Sequence, residues 1–306
     1  MCLQFFYKLD ITGRTRISHT GCEMTYHRPS FAQSQTSAWC IPLGCVLLAA
    51  LATFPVLGQA PAINQGGVVD AASFAVGRPV SAGNIVAIFG TNLASQIATA
   101  DTVPWSSSLA NVSVTFNNIA APLQFVAPGQ INAQIPWNVL PAGTSGTVNA
   151  VVTSQGVPSA PQAVAINAFA PGVYTYNNHA VAINIQDPTS ARYGSFAAPT
   201  GTVGSYPAFP AQVNDLLLVY AGGLGQVDNP PANGNAPTTA VNTLQLPVVL
   251  VNNVPGHVVF SGLAPGFPGI NQVNLTVPQV ASGSALPFQI QTGGLTSTSA
   301  ANIAVQ

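Results

Sequence analysis

Past residue 60 the chain has no cysteine, no lysine and no glutamate; Cys2, Cys22, Cys40 and Cys45 all precede that point. The 246 residues that follow therefore hold no disulfide, no thiolate nucleophile and no cysteine metal ligand. Charge is scarce throughout, at 4% of residues, against about 25% in an ordinary soluble domain. After residue 60 only Arg78 and Arg192 stand against Asp70, Asp101, Asp187, Asp215 and Asp228. Two cations cannot form the basic face that phosphate neutralisation needs, so nucleic acid is excluded as a partner. An anionic membrane surface is excluded by the same count.

What is present is apolar and punctuated: 48% hydrophobic residues broken by 28 Gly and 26 Pro. That rhythm predicts many short strands and turns rather than long helices. One longer apolar run, 39–57, is followed by Gly58-Gln59-Ala60 and then Pro61. Small residues at the two peptidase-read positions make it a secretory signal peptide cleaved near Ala60; the alternative is an uncleaved N-terminal anchor. Gly44-Cys45 is no lipoprotein site, because Pro42 stands where an aliphatic residue is expected and the apolar run continues past the cysteine. Residues 1–23 resemble neither signal nor domain, and a start at Met24 gives a more ordinary signal length. The expected location is secreted, periplasmic or cell-surface.

The exported part repeats itself. Ile85-Val86-Ala87-Ile88-Phe89-Gly90-Thr91-Asn92-Leu93 corresponds to Leu216-Leu217-Leu218-Val219-Tyr220-Ala221-Gly222-Gly223-Leu224. Each is followed by a strand, an Asn-Asn turn (Asn117-Asn118, Asn252-Asn253) and another strand, the turn composition of a tight hairpin. Ala127-Pro128-Gly129 then matches Ala264-Pro265-Gly266, and the strand opening Gln130-Ile131-Asn132 matches Gln272-Val273-Asn274. Order is kept while spacing grows, as loops absorb insertions in a duplicated fold. Further strands are expected over 147–153, 162–167, 286–291 and 301–305.

The predicted fold is all-β: two tandem immunoglobulin-like Greek-key β-sandwiches. The expected boundaries are 1–60 for the leader, 61–169 for the first sandwich, 170–179 for an extended connector and 180–306 for the second sandwich. The second carries a long low-complexity loop, 187–215.

Gly66-Gly67-Val68-Val69-Asp70-Ala71-Ala72-Ser73-Phe74, then Ile88–Leu93, then Ala127–Trp137 together resemble the Solibacter-type uncharacterised C-terminal domain. So does Gly222-Gly223-Leu224-Gly225 with Gly262-Leu263-Ala264-Pro265-Gly266. The resemblance covers about 63–306. Each half is also similar to the immunoglobulin-like TIG domain, through its early strand running into a Gly-x-Asn-Leu type turn. The first resemblance implies the C-terminal part of an exported bacterial protein, without assigned activity and hence without catalytic residues to carry over. Here the pair makes up nearly the whole exported chain, and the loop 187–215 is more elaborate than that family's usual connector.

Catalytic patterns are sought without success. The five Asp past residue 60 fall in expected loops or strand ends, where Asp forms turns, and none is paired as a glycosidase requires. There is no Gly-x-Ser-x-Gly past residue 60, and the two His of that part, His179 and His257, are expected to face solvent without an adjacent nucleophile. Two isolated His do not make a zinc site. Gly222-Gly223-Leu224-Gly225 is no dinucleotide loop, since Pro230-Pro231 forbids the helix that would hold the pyrophosphate. Asp228 with its neighbouring Asn residues lacks the spacing and charge of a calcium loop. No cofactor and no metal are expected.

The remaining candidates are aromatic. Trp137 reads as a core or interdomain residue, with a ligand platform as the alternative. Trp105, with Arg192, Tyr193, Phe196, Tyr206 and Phe209 of the long loop, has the composition of a contact surface; the alternative is that the loop folds back on its sandwich. The expected function is a non-catalytic, monomeric structural, adhesion or interaction module, with envelope or extracellular polysaccharide or other surface proteins as partners. A carbohydrate-binding module using these aromatics is the first alternative, and a hydrolase with an Asp-based site is the second.

Overall fold

The computed structural model describes residues 59–298 and 300–306. The apolar run 39–57 and the start at Met24 lie outside the described residues. Residues 59–306 form one compact unit with two large, separate hydrophobic cores, and no helix occurs among the described residues. The fold is all-β and immunoglobulin-like, two sandwiches in tandem.

The first sandwich packs two sheets. One runs in the order Ala62–Asp70, Ile85–Thr91, Gln130–Gln134, Leu123–Ala127, Ala98–Thr99. The other centres on Val112–Phe116 and Gly146–Ser154, with Gln162–Ile166 pairing on the far side of the latter. Val112, Val114 and Phe116 are buried while Ser113 and Thr115 are half-exposed, the two-residue period of a sheet with one face in the core. Phe116, Ile88, Leu93, Leu123 and Ile131 are at most 1% exposed and fill the space between the sheets. Each such side chain contributes roughly 1.5–3 kcal/mol by leaving water.

The second sandwich is one continuous sheet that folds over itself. Its path runs from Gly172–Val173 through Leu216–Gly222, Asn271–Thr276, Val254–Leu263, Val248–Val251 and Gly283–Thr292 to Ala301–Val305 and beyond. Val254–Leu263 crosses between layers, pairing its start with Val248–Val251 and its end with Asn271–Thr276. In the first sandwich the same stretch is broken into Ile119–Ala121 and Leu123–Ala127 around Pro122, whose missing N–H cannot join a ladder. Phe288, Leu217, Leu224, Leu275 and Ile303 fill this core.

The duplication extends to individual hydrogen bonds. Asn117-Asn118 (φ 48°, 64°) and Asn252-Asn253 (φ 49°, 64°) form matching hairpin turns, and the first Asn of each donates to a neighbouring strand, to Asn149 O and Pro287 O. Two successive positive φ angles suit the right-handed twist of a hairpin, and Asn accepts them at low cost. Gln130 Nε2 donates to Asn132 Oδ1 at 2.8 Å, and Gln272 Nε2 to Asn274 Oδ1 at 2.9 Å. Val152 N donates to Ser159 Oγ, and Ile290 N to Ser297 Oγ, both at 3.1 Å.

The segment read as a connector, 170–179, pairs into the second sandwich. Gly172↔Gly222 and Val173↔Ala221 repeat the register Ala62↔Thr91 and Ile63↔Gly90 of the first copy. Ala182–Asn184 then repeats Val68–Asp70 against the same neighbour strand. The first strand of the fold is thus unbroken in copy one, where a bulge spans Ile63 to Val68, and split in copy two. There an Asn177-Asn178 hairpin is inserted between its halves.

Candidate functional site

The long segment 187–215 closes an open side of the second sandwich. Ile183 bridges to Phe196, Phe196 to Ala208, and Ala211 to Val305. Ala197 N donates to Ala182 O and Ala304 N to Ala197 O, so one extended stretch satisfies backbone groups on two strand edges. In the first sandwich the equivalent stretch, 71–84, bridges one strand edge through Val80, which pairs with Ile166.

Arg192 anchors the segment. Its Nη2 donates to Asp215 Oδ2 at 2.5 Å and to Pro210 O at 2.8 Å, with side-chain exposures of 20% for Arg192 and 10% for Asp215. Asp215 Oδ2 also accepts from Asn184 Nδ2 at 2.8 Å and Gln212 N at 2.7 Å. Three donors thus converge on one carboxylate oxygen and tie the segment to the strands.

The proposed contact residues separate into three groups. Phe196 is buried and packs at 5.7 Å between ring centroids on Tyr206, which meets Tyr176 edge-on at 6.2 Å. Tyr193 is half-buried beside Arg192 in sequence, and Phe209, at 38% exposure, is the large apolar side chain this segment leaves in solvent. Trp105 is elsewhere: it is buried in the first sandwich, and its backbone N–H donates to Gly234 O of the second at 3.0 Å. Phe196 and Trp105 serve packing; Tyr193, Arg192, Tyr206 and Phe209 retain exposed surface. Tyr176 joins the aromatic cluster from the short strand at 175–176, where two residues are too few to show a strand period.

Where the copies meet, the contact is close. Gln134, fully buried, accepts from Gly234 N at 2.7 Å through Oε1 and donates to Gly83 O at 3.1 Å through Nε2. Trp137 N donates to Asn233 Oδ1 at 2.9 Å, and the indole packs against Val227, Val241 and Leu263. A small cleft of about 80 Å³ opens beside it, lined by Trp137, Leu140, Pro141, Gln226, Val227 and Pro230. Its walls are uncharged.

Asp70 lies buried at this seam. It accepts from Ser73 N, Ser73 Oγ and Asn84 Nδ2, each at 2.7 Å. Burial raises its pKa above the usual carboxylate range, against the lowering pull of those bonds. Tyr174, raised by burial and then by the Asp70 charge, has its hydroxyl buried without a hydrogen-bond partner. Of the other acids, Asp187 is held low by the backbone and hydroxyl donors of Thr189, and Asp228 accepts two bonds from Asn242. His257 is exposed, whereas His179 is half-buried and lowered by desolvation. No three of His, Cys, Asp and Glu come together among the described residues.

Residues 73–168 match the family model of the IPT/TIG domain, which makes the first sandwich TIG-like. No curated protein matches the chain. Among solved structures, domains 5-6 of the S-layer protein SbsC are similar at 11% identity, covering 80% of this chain and 98% of that one, with a TM-score of 0.21. The I9-I11 tandem from titin is similar at 10% identity, covering 81% and 67%, with a TM-score of 0.20. The C-terminal domain of the Streptococcus agalactiae AgI/II polypeptide BspA is similar at 9% identity, covering 80% and 99%, with a TM-score of 0.17. Likeness at this level carries no functional argument.

Proposed function

We propose that this chain is an exported, non-catalytic structural or interaction module that presents two joined immunoglobulin-like sandwiches at the cell surface or outside the cell. One observation carries the reading: the buried carboxylates, Asp70 and Asp215, are consumed by donors that hold strands and loops together. A general acid or base needs a carboxyl group available to a substrate, whereas three donors converge on each of these two within the fold. The TIG-like first sandwich supports the same reading, and so does the resemblance of the chain's motifs to the Solibacter-type domain. The partners that suit its low-charge surface are neutral polysaccharide or other surface proteins.

The test is binding and turnover measured together. The purified chain is applied to an array of neutral envelope and extracellular glycans and assayed for hydrolysis of each. Retention without cleavage is the expected result; cleavage lost in Asp70→Asn or Asp215→Asn would overturn it. A carbohydrate-binding reading is favoured by the solvent exposure of Phe209 and the partial exposure of Tyr193. It requires that Phe209→Ala and Tyr193→Ala abolish retention while Trp105→Phe does not.

A further inference from the structure

The seam is made from positions that neither outer end of the pair reproduces. On the first sandwich it presents Gly83, Gln134 and Trp137. Any side chain at Gly83 would overlap the Trp137 ring, and Gln134 binds both copies. The equivalent positions of the second sandwich, one residue before the Asp–Asn pair and along the matching strand end, are Asn214, Thr276 and Gln279. Asn214 and Gln279 are exposed, Thr276 is half-exposed, and Asn214 (φ 71°) keeps the backbone twist of Gly83 (φ 78°) without its bareness.

The opposing surface shows the same asymmetry. The second sandwich seats its paired Gly172 and Gly222 against Asp70 and Asn84; a Cβ on Gly222 would come within 2.6 Å of Asn84 Oδ1. Their counterparts at the outer end of the first sandwich are the paired Ala62 and Thr91, both exposed. On the second sandwich the counterpart pair, Asn184 and Asp215, carries the guanidinium of Arg192 from the chain's own 187–215 segment. Terminal units of repeat arrays need such polar, self-covered outer faces.

We propose that residues 59–306 act as one closed, rigid block of two sandwiches. The inner seam is the surface on which one repeat recognises the next. At the far end Arg192 occupies the Asn184–Asp215 part of the matching surface, and polar Asn214, Thr276 and Gln279 replace the rest, so copies do not extend head to tail. This rests on the seam geometry alone and stands whatever the block binds.

Scanning calorimetry and light scattering on the purified chain test it. One transition is expected, with calorimetric and van't Hoff enthalpies in a ratio of about 1, and the mass of a single chain over a roughly hundredfold range of concentration. Gly222→Val, which drives a side chain into Asn84, is expected to split the transition in two. Gln134→Ala adds no bulk and keeps the test open if the first variant does not fold; it is expected to lower the melting of both sandwiches together. Two transitions in the unaltered chain, a Gln134→Ala profile unchanged from it, or mass rising with concentration would each overturn the proposal.

Discussion

Asn84 and Asp215 are the same position in the two sandwiches, with amide and carboxylate exchanged. Each stands two residues before the residue that pairs with its partner: Asp70 pairs with Val86, and Asn184 with Leu217. In copy one the amide of Asn84 donates to Asp70; in copy two the amide of Asn184 donates to Asp215. The fold needs one donor and one acceptor tying the first strand to the start of the next, and the two copies fill the roles in opposite order.

Removing the donor tests that bond. Asn84→Ala leaves a buried carboxylate oxygen short of a partner and is expected to cost about 1–3 kcal/mol in urea unfolding. Asn132→Ala, on a half-exposed surface pair, is expected to cost no more than about 0.5 kcal/mol.

Asp70 sets a pH dependence whose sign follows from burial. Desolvation raises its folded pKa above the unfolded value, so the stability it contributes is fully present below the unfolded pKa and is lost as pH rises through the folded one. Asp70→Asn is therefore expected to gain stability relative to the unaltered chain as pH rises from about 4 to about 7. Paired denaturation curves across that range check it; a difference that stays flat would show that the donors outweigh desolvation.

The Asn-Asn turns are held by conformation. Asn118→Val forces a β-branched residue to φ 64° and is expected to cost roughly 1–2 kcal/mol, while Asn118→Gly leaves stability nearly unchanged. The same pair of changes at Asn253 is expected to give the same two results, since the turns are duplicates.

Arg192 is the peg of the covering segment. Arg192→Met keeps the aliphatic stem but strips Asp215 of its cation, with an expected loss of about 1–3 kcal/mol. Amide hydrogen exchange is expected to speed up first over 194–211, where the segment bonds to the sheet edges.

The strand pattern and the duplication were readable because they lie in strong local signals: alternating Val, Ile and Phe, paired Asn residues and the Gln-x-Asn strands. The split first strand was not, because Pro171 and Gly172 signal a linker and a two-residue strand carries no period. The Asp–Asn equivalence was hidden by the exchange itself, which removes residue identity at both positions. The edge-covering role of 187–215 rests on backbone bonds from a Gly-, Pro- and Ser-rich stretch, and backbone bonding leaves no mark on side-chain pattern. Trp105 and Phe196 read as surface candidates from their loop setting, yet both are buried: the backbone of Trp105 bonds to Gly234 of the second copy, and Phe196 bridges a sheet edge.

Residual dipolar couplings of the backbone amides, measured in one aligned medium, reach the joined pair most directly. A single alignment tensor is expected to fit both 61–169 and 170–306, as two sandwiches fixed by Gln134, Trp137 and Gly222 require. Separate tensors of different magnitude for the two halves would contradict it.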